Sequence, residues 1–514
     1  MAIDSNKRAA GVLLPVFSLP SPYGIGCFSE EAYHFIDRLS EAGQTYWQIL
    51  PIGPAGGSDS PYQPHSCFAG EPMYIDPEAL ARQGLLTDDD LDQAASPDYD
   101  LSSVDYRRVR PIRNWLLRTA YERFCAEPED SELLLAFREF CESQESWLSD
   151  YVLFEALTAQ FGTNFWNEWP EDIRDRKPAA LRHWKQELSE ETRYQSWLQF
   201  EFFREWKQLK EYAHSKGIRI IGDIPIYAAL ESVDVWVNRK VFQLGEDCKP
   251  SRVSGAPPDP FSPKGQVWGN PLYDWNYLKR TGYRWWIERL RHMFRLYDVV
   301  RLDHTRGLES YFSIPADADD AALGHWEKGP GLSFFRAVSK KLNDPDLIAE
   351  DLGDITPEVV EMVHRAGLPG MKVLQFAFDG DPKNPYLPEN FGKDSVVYTG
   401  THDNNTTIGW YEDLPASTRC QITAYLRQQN GIHESAKAPI FGSHSATSLL
   451  VELAHRSDAA ICIIQMQDHL LLDASARVNV PGTIWNNWQW RMHPDAFTRT
   501  RASHMASLAR RSGR

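Results

Sequence analysis

The sequence is short of the features that would tie a chain to a membrane, a disulfide framework or a polyanion. No uninterrupted apolar run approaches the roughly 18 residues that a membrane span needs. The opening stretch MAIDSNKRAAGVLLP has neither a secretory apolar core nor a small-residue cleavage site, so a cytoplasmic location is expected. Cysteines are few, scattered and odd in number (Cys27, Cys67, Cys125, Cys141, Cys248, Cys420, Cys462). No CxxC occurs, so neither a disulfide framework nor a zinc ribbon is suggested. Positive charge is scarce: 54 Lys+Arg stand against 71 Asp+Glu, a net charge of -17. Nucleic acid is disfavoured as a partner, because phosphate binding needs a basic face. The exception is 498–514, with five Arg and no acid, read as a solvated or frayed tail. No repeat period is found, and no Gly-rich GxGxxG turn follows the first apolar run. No phosphate-cradling loop stands out either, and no cofactor is expected. What is abundant is apolar and aromatic: 42% hydrophobic residues and 18 Trp. That supports a large core, with some aromatic faces left over for a ligand.

Eight short apolar runs read as buried parallel strands, at 12–17, 45–50, 219–224, 298–303, 347–350, 372–378, 395–399 and 459–465. Helix-period segments lie between most of them, such as 30–41, 283–294, 333–342, 357–365 and 445–455. Strand and helix in alternation, eight times, predict a (β/α)8 barrel rather than an open doubly wound sheet. The barrel is expected over 8–496. Two gaps exceed a simple βα unit. Residues 74–205 read as a mostly helical insertion. Residues 228–282, rich in Pro and Gly but carrying Phe261, Trp268 and Tyr273, read as an insertion that includes a lid over a binding cleft. Residues 497–514 form the basic tail.

In such a barrel the chemistry sits where strands end. Here the third ends at Asp223, the fourth at Asp303-His304, the fifth at Glu350-Asp351 and the seventh at His402-Asp403. A single Asp at a strand end is often only a helix cap. Four acids on one rim repel one another unless the site uses them. Side chains alternate along a strand, so Arg301 shares a face with Asp303 and would hold it ionised. By the same alternation Glu350 and Asp351 point opposite ways. Paired carboxylates suit glycosidic bond cleavage, one attacking the anomeric carbon and one protonating the departing oxygen. A metal site built from His304, His402, Asp303 and Asp403 is the competing reading.

These stretches are similar to a known family. GDIPIY (222–227), VVRLDHTRG (299–307), IAEDLG (348–353) and YTGTHDNNTTIGW (398–410) resemble the α-amylase clan. LPIGPAGGSDSPYQ (50–63), FAGEP (68–72), PPDPFSPKGQVWGNPLYDW (257–275), GLPGMKVLQFAF (367–378) and NVPGTIWNNWQWR (479–491) narrow the resemblance to the 4-α-glucanotransferases of glycoside hydrolase family 77. The resemblance implies transfer of an α-1,4-glucan segment to the 4-hydroxyl of a glucose or glucan acceptor, with retention and no cofactor. The alternative is an α-1,4-glucan hydrolase with the same acids. It implies Asp303 as nucleophile, Glu350 as general acid and base, and Asp403 as transition-state stabiliser. It further implies substrate contacts from Tyr62, Asp223, Asp259, Phe261, Trp268, Arg301, His304 and His402, and no metal. One departure stands out. Where the family commonly reads PPDYFS, this chain has Pro260 between Asp259 and Phe261, which removes an aromatic face and stiffens the loop.

Overall fold

A computed structural model of the chain describes residues 7–56, 58–96, 98–258, 263–432 and 439–514. Runs of β-branched residues form strands where both faces are covered. Ile220, Ile221, Val299, Val300, Ile348, Val396, Val397, Ile463 and Ile464 are all buried. The strands in chain order are β1 (Ala9–Leu13), β2 (Tyr46–Gln48), β3 (Arg219–Ile224), β4 (Arg252–Ala256), β5 (Gln266–Pro271), β6 (Val299–Leu302), β7 (Ser310–Pro315), β8 (His325–Lys328), β9 (Leu347–Ala349), β10 (Gly370–Val373), β11 (Ser395–Tyr398) and β12 (Ile461–Gln465). Eight of them close into a parallel barrel in the order β1-β2-β3-β6-β9-β10-β11-β12. This is the (β/α)8 architecture, with each of the eight expected apolar runs contributing one stave.

The outer helices show why they form. Glu30–Glu41 buries Ala32, Phe35, Ile36 and Leu39, one stripe at helical spacing, and carries Glu30 and Glu31 in its first turn. Pro357–Ala366 starts with Pro at its first turn and stops at Gly367 in the left-handed conformation. Between β2 and β3 the chain is mostly helical. Its two longest helices, Glu132–Phe161 and Ser189–Ser215, are knit together by aromatic pairs such as Phe137–Phe200 and Trp147–Phe203, each 5.7 Å between centroids.

Two sequence expectations are corrected. The segment 498–514 is not a frayed tail. Arg499–Arg511 is a helix capped by Thr498, and it buries Ala502, Met505, Ala506, Leu508 and Ala509. The Arg514 guanidinium donates to the carbonyls of Ala9, Ala460, His455, Ser457 and Ala459, so its charge is spent on the barrel's lower end. The arginines mark a docked helix whose apolar face is built largely from small residues and therefore shows weak periodicity. The segment 228–282 is not only loop. It supplies β4 and β5 to an antiparallel sheet of order β5-β4-β7-β8 beside the barrel. The sequence does not announce this sheet, because β4 pairs with β7, more than 50 positions later, and β7 in turn with the short β8.

Candidate active site

Pairing register brings the first charges together. On adjacent staves β3 and β6, Asp223 lies opposite Arg301. Arg301 Nη1 donates to Asp223 Oδ2 at 2.6 Å and lies 3.0 Å from Asp303 Oδ1. One buried guanidinium thus touches two carboxylates. Gly222 permits this packing, since a Cβ there would lie 2.1 Å from the Tyr297 ring behind the strand. Asp303 sits on the floor of the cleft, with 27% of its side chain open to solvent.

Glu350 ends β9 and is held by backbone rather than by a side-chain cation. The His304 N–H donates to its Oε2 at 2.7 Å and the Leu352 N–H to its Oε1 at 2.8 Å. His304 reaches this position through a left-handed backbone (φ 50°), unusual for a non-glycine residue. Its ring meets Trp268 edge-on at 4.8 Å. Asp351 points away and accepts from the Met371 N–H at 2.7 Å.

On the other side of the cleft, His402 and Asp403 follow β11. Tyr62 stacks on His402 at 5.0 Å and donates to Asp223 Oδ2 at 2.8 Å. Asp403 Oδ1 lies 3.4 Å from His402 Nε2 and accepts from Asn479 Nδ2 at 2.6 Å. Its side chain is 44% exposed. Arg477 donates to the Asp403 carbonyl at 2.6 Å, and the Trp488 ring lies 5.7 Å from Tyr62. The buried His304 Nε2 and Asp223 Oδ1 have no protein partner among the described residues.

Electrostatics separates the two facing acids. Burial raises Glu350 to about 8, and the neighbouring Asp303 charge adds to that rise. Burial also raises Asp303, but contact with Arg301 opposes it and the carboxyl reaches only about 6. Near neutral pH one acid is ionised and its neighbour protonated. Burial pushes His402 below its usual value and His304 down to about 3, so both rings are neutral hydrogen-bonding groups.

The structure thus gathers Tyr62, Asp223, Trp268, Arg301, Asp303, His304, Glu350, His402 and Asp403 around one cleft. Asp259 and Phe261, together with Pro260, lie outside the described residues. Sequence reasoning missed Asn479, Arg477 and Trp488 as neighbours of Asp403 and His402. The signal was present, since Asn479 and Trp488 belong to the NVPGTIWNNWQWR block, but no spacing rule links that block to a strand end 76 residues earlier. Among the described residues no group of three or more His, Cys, Asp or Glu is arranged to hold a metal ion. No described helix is long and apolar enough to cross a membrane.

Comparison with known proteins points to one family. The sequence profile described as 4-alpha-glucanotransferase, glycoside hydrolase family 77, matches residues 14–498. The 4-alpha-glucanotransferase of Clostridium butyricum is 42% identical over 503 residues, spanning 97% of this chain and 99% of that protein. That of Thermus thermophilus is 42% identical over 507 residues, 98% of each chain. The solved amylomaltase of Streptococcus agalactiae, in complex with acarbose, superposes with a TM-score of 0.92 at 36% identity, covering 99% of this chain and all of that one. The hydrolase alternative is not favoured by any of these. The chain belongs to the 4-alpha-glucanotransferases of glycoside hydrolase family 77, and it transglycosylates α-1,4-glucans on a (β/α)8 barrel.

Proposed function

We propose that transfer proceeds by double displacement with retention, Asp303 being the nucleophile and Glu350 the acid and then the base. The observation that carries this reading is the direct Arg301–Asp303 contact at 3.0 Å, set against a Glu350 whose oxygens meet backbone N–H groups. Ionised Asp303 attacks C1 of an α-1,4-linked glucosyl unit. Protonated Glu350 gives its proton to the departing 4-oxygen, and the donor remains bound to Asp303 as an ester. Glu350, now ionised, takes the proton from the 4-hydroxyl of an acceptor. That oxygen attacks C1, and the Asp303 carboxylate leaves. One glycosidic bond is broken and one is formed, so the reaction is close to isoenergetic.

Asp403, steadied by Asn479, holds ring hydroxyls of the sugar under attack. His402 and His304, both neutral, hydrogen-bond hydroxyls next to the scissile bond, and the unpartnered His304 Nε2 suits that role. Tyr62 packs its ring against the same sugar. Asp223 keeps Arg301 in place, and Trp268 covers the site beside His304. Asp259 and Phe261 are assigned to the same loop. Glucose and maltooligosaccharides serve as acceptors. All seven cysteines are free, which suits a reducing, cytoplasmic compartment.

The test is to trap the ester. A Glu350→Gln form given α-maltotriosyl fluoride needs no acid for departure and lacks the base for release. Mass mapping of the digest is expected to find a maltotriosyl unit on the peptide containing Asp303. A sugar on another residue, or release of a β-configured product without any adduct, would overturn the assignment.

A further inference from the structure

Of the 18 tryptophans only one is exposed, and it stands beside the active site. Trp485 is 76% exposed and its neighbour Ile484 72%. Both lie in the segment that follows β12. The Trp488 N–H donates to the Val478 carbonyl at 2.7 Å and closes this segment into a loop. Inside it, the Val480 N–H donates to Asn487 Oδ1 at 2.9 Å, and Asn487 Nδ2 donates to the Thr483 carbonyl at 2.9 Å. Gly482 (φ 79°) and Asn486 (φ 59°) both adopt left-handed backbone and fold a tight tip. Ile484 and Trp485 sit on that tip, between the two turns.

The base of the loop is part of the cleft wall. Asn479 donates to Asp403, and Trp488 lies 5.7 Å from Tyr62 and 6.0 Å from His402. Trp485 and Trp488 are three positions apart, so their Cα atoms are at most roughly 11 Å apart. A loop braced by its own hydrogen bonds thus shows its largest apolar side chain to water, within a few sugar units of the reaction centre. Large exposed apolar surface rimmed by polar groups marks a binding surface. What binds at the adjoining site is an α-1,4-glucan, whose pyranose rings carry apolar C–H faces.

We propose that Trp485, with Ile484, is a stacking platform for the donor glucan, extending the binding surface beyond the sugar held by Asp403, His402 and Tyr62. The inference rests on the site roles given above. The contacts of its base point to the donor side. Glu350, beside which the departing and accepting oxygens sit, ends β9. The loop springs from β12, beyond β11 and Asp403. Its base touches Asp403, His402 and Tyr62, with no bond to Glu350, His304 or Trp268 among the described residues.

The test compares wild type, Trp485→Ala and Trp485→Phe on maltotriose and maltoheptaose as donors. In Trp485→Ala the ratio of kcat/KM for maltoheptaose to that for maltotriose is expected to fall by about three- to tenfold, the worth of one aromatic stacking contact. Trp485→Phe is expected to keep most of the ratio, and KM for glucose as acceptor to stay unchanged. A ratio equal to wild type, an equal loss on both donors, or a change confined to the glucose KM overturns the inference. The side chain is exposed, so the alanine form folds, and an unfolding scan checks that. Wild type that fails to disproportionate maltotriose would instead refute the underlying site roles, and the inference with them.

Discussion

Arg301 meets Asp223 at 2.6 Å and Asp303 at 3.0 Å, so a single cation sets the charge of two acids. Its influence is what makes a pH profile informative. On the proposed roles turnover needs Asp303 ionised, and that is lost as pH falls through about 6. Turnover also needs Glu350 protonated, and that is lost as pH rises through about 8. The kcat/KM profile is therefore expected to be a bell with limbs near these two values, which belong to the interacting pair as much as to either residue. A flat profile across neutral pH would contradict it. Asp303→Asn keeps the shape and removes the proposed nucleophile. Its kcat is expected to drop by on the order of a thousandfold or more while the unfolding midpoint is retained. The Arg301–Asp303 pairing was legible in the sequence, because a carboxylate at a strand end and an Arg two positions earlier share a face through parity alone. Asn479 was not legible, since it reaches Asp403 from irregular chain beyond β12, the stave paired with β11, where no strand or helix period marks its position.

At the scale of elements, hydrophobic runs report burial, whereas strands are defined by pairing. The run 12–17 overshoots β1 because Val16–Ser18, a buried single turn, is as apolar as the strand before it. The run 372–378 overshoots β10 into the Leu374–Phe376 turn for the same reason. The helix 30–41, whose apolar stripe has a solvated opposite face, coincides with its sequence boundaries. The C-terminal helix escaped notice because arginines dominate its composition and three of its five buried residues are alanines. Its docking makes a prediction. Met505 is fully buried, and Met505→Ala is expected to destabilise the fold by about 2–5 kcal/mol, the usual cost of a core truncation. Denaturant unfolding measures that cost, and specific activity at 25 °C is expected to hold because, among the described residues, no hydrogen bond or ion pair joins this helix to Asp223, Asp303, Glu350 or Asp403. A shift near zero would mean the helix is dispensable.

The whole molecule has to do something that its acids alone cannot, which is to prefer a sugar hydroxyl to water. Trp268 of the side sheet packs against His304, and the loop after β12 packs against Asp403 and Tyr62, so both flank the same rim. Glu350 is buried, whereas 27% of the Asp303 side chain and 44% of the Asp403 side chain remain open. Displacement of water as a glucan fills the site would strengthen the electrostatics and protect the proposed ester from hydrolysis. The most direct test is incubation with maltotriose alone, sizing the products while counting reducing ends. Transfer conserves the number of glycosidic bonds. The account predicts glucose together with a ladder of longer maltooligosaccharides at a constant total of reducing ends. Glucose and maltose accumulating with a steady rise in reducing ends, and no longer sugars, would contradict it.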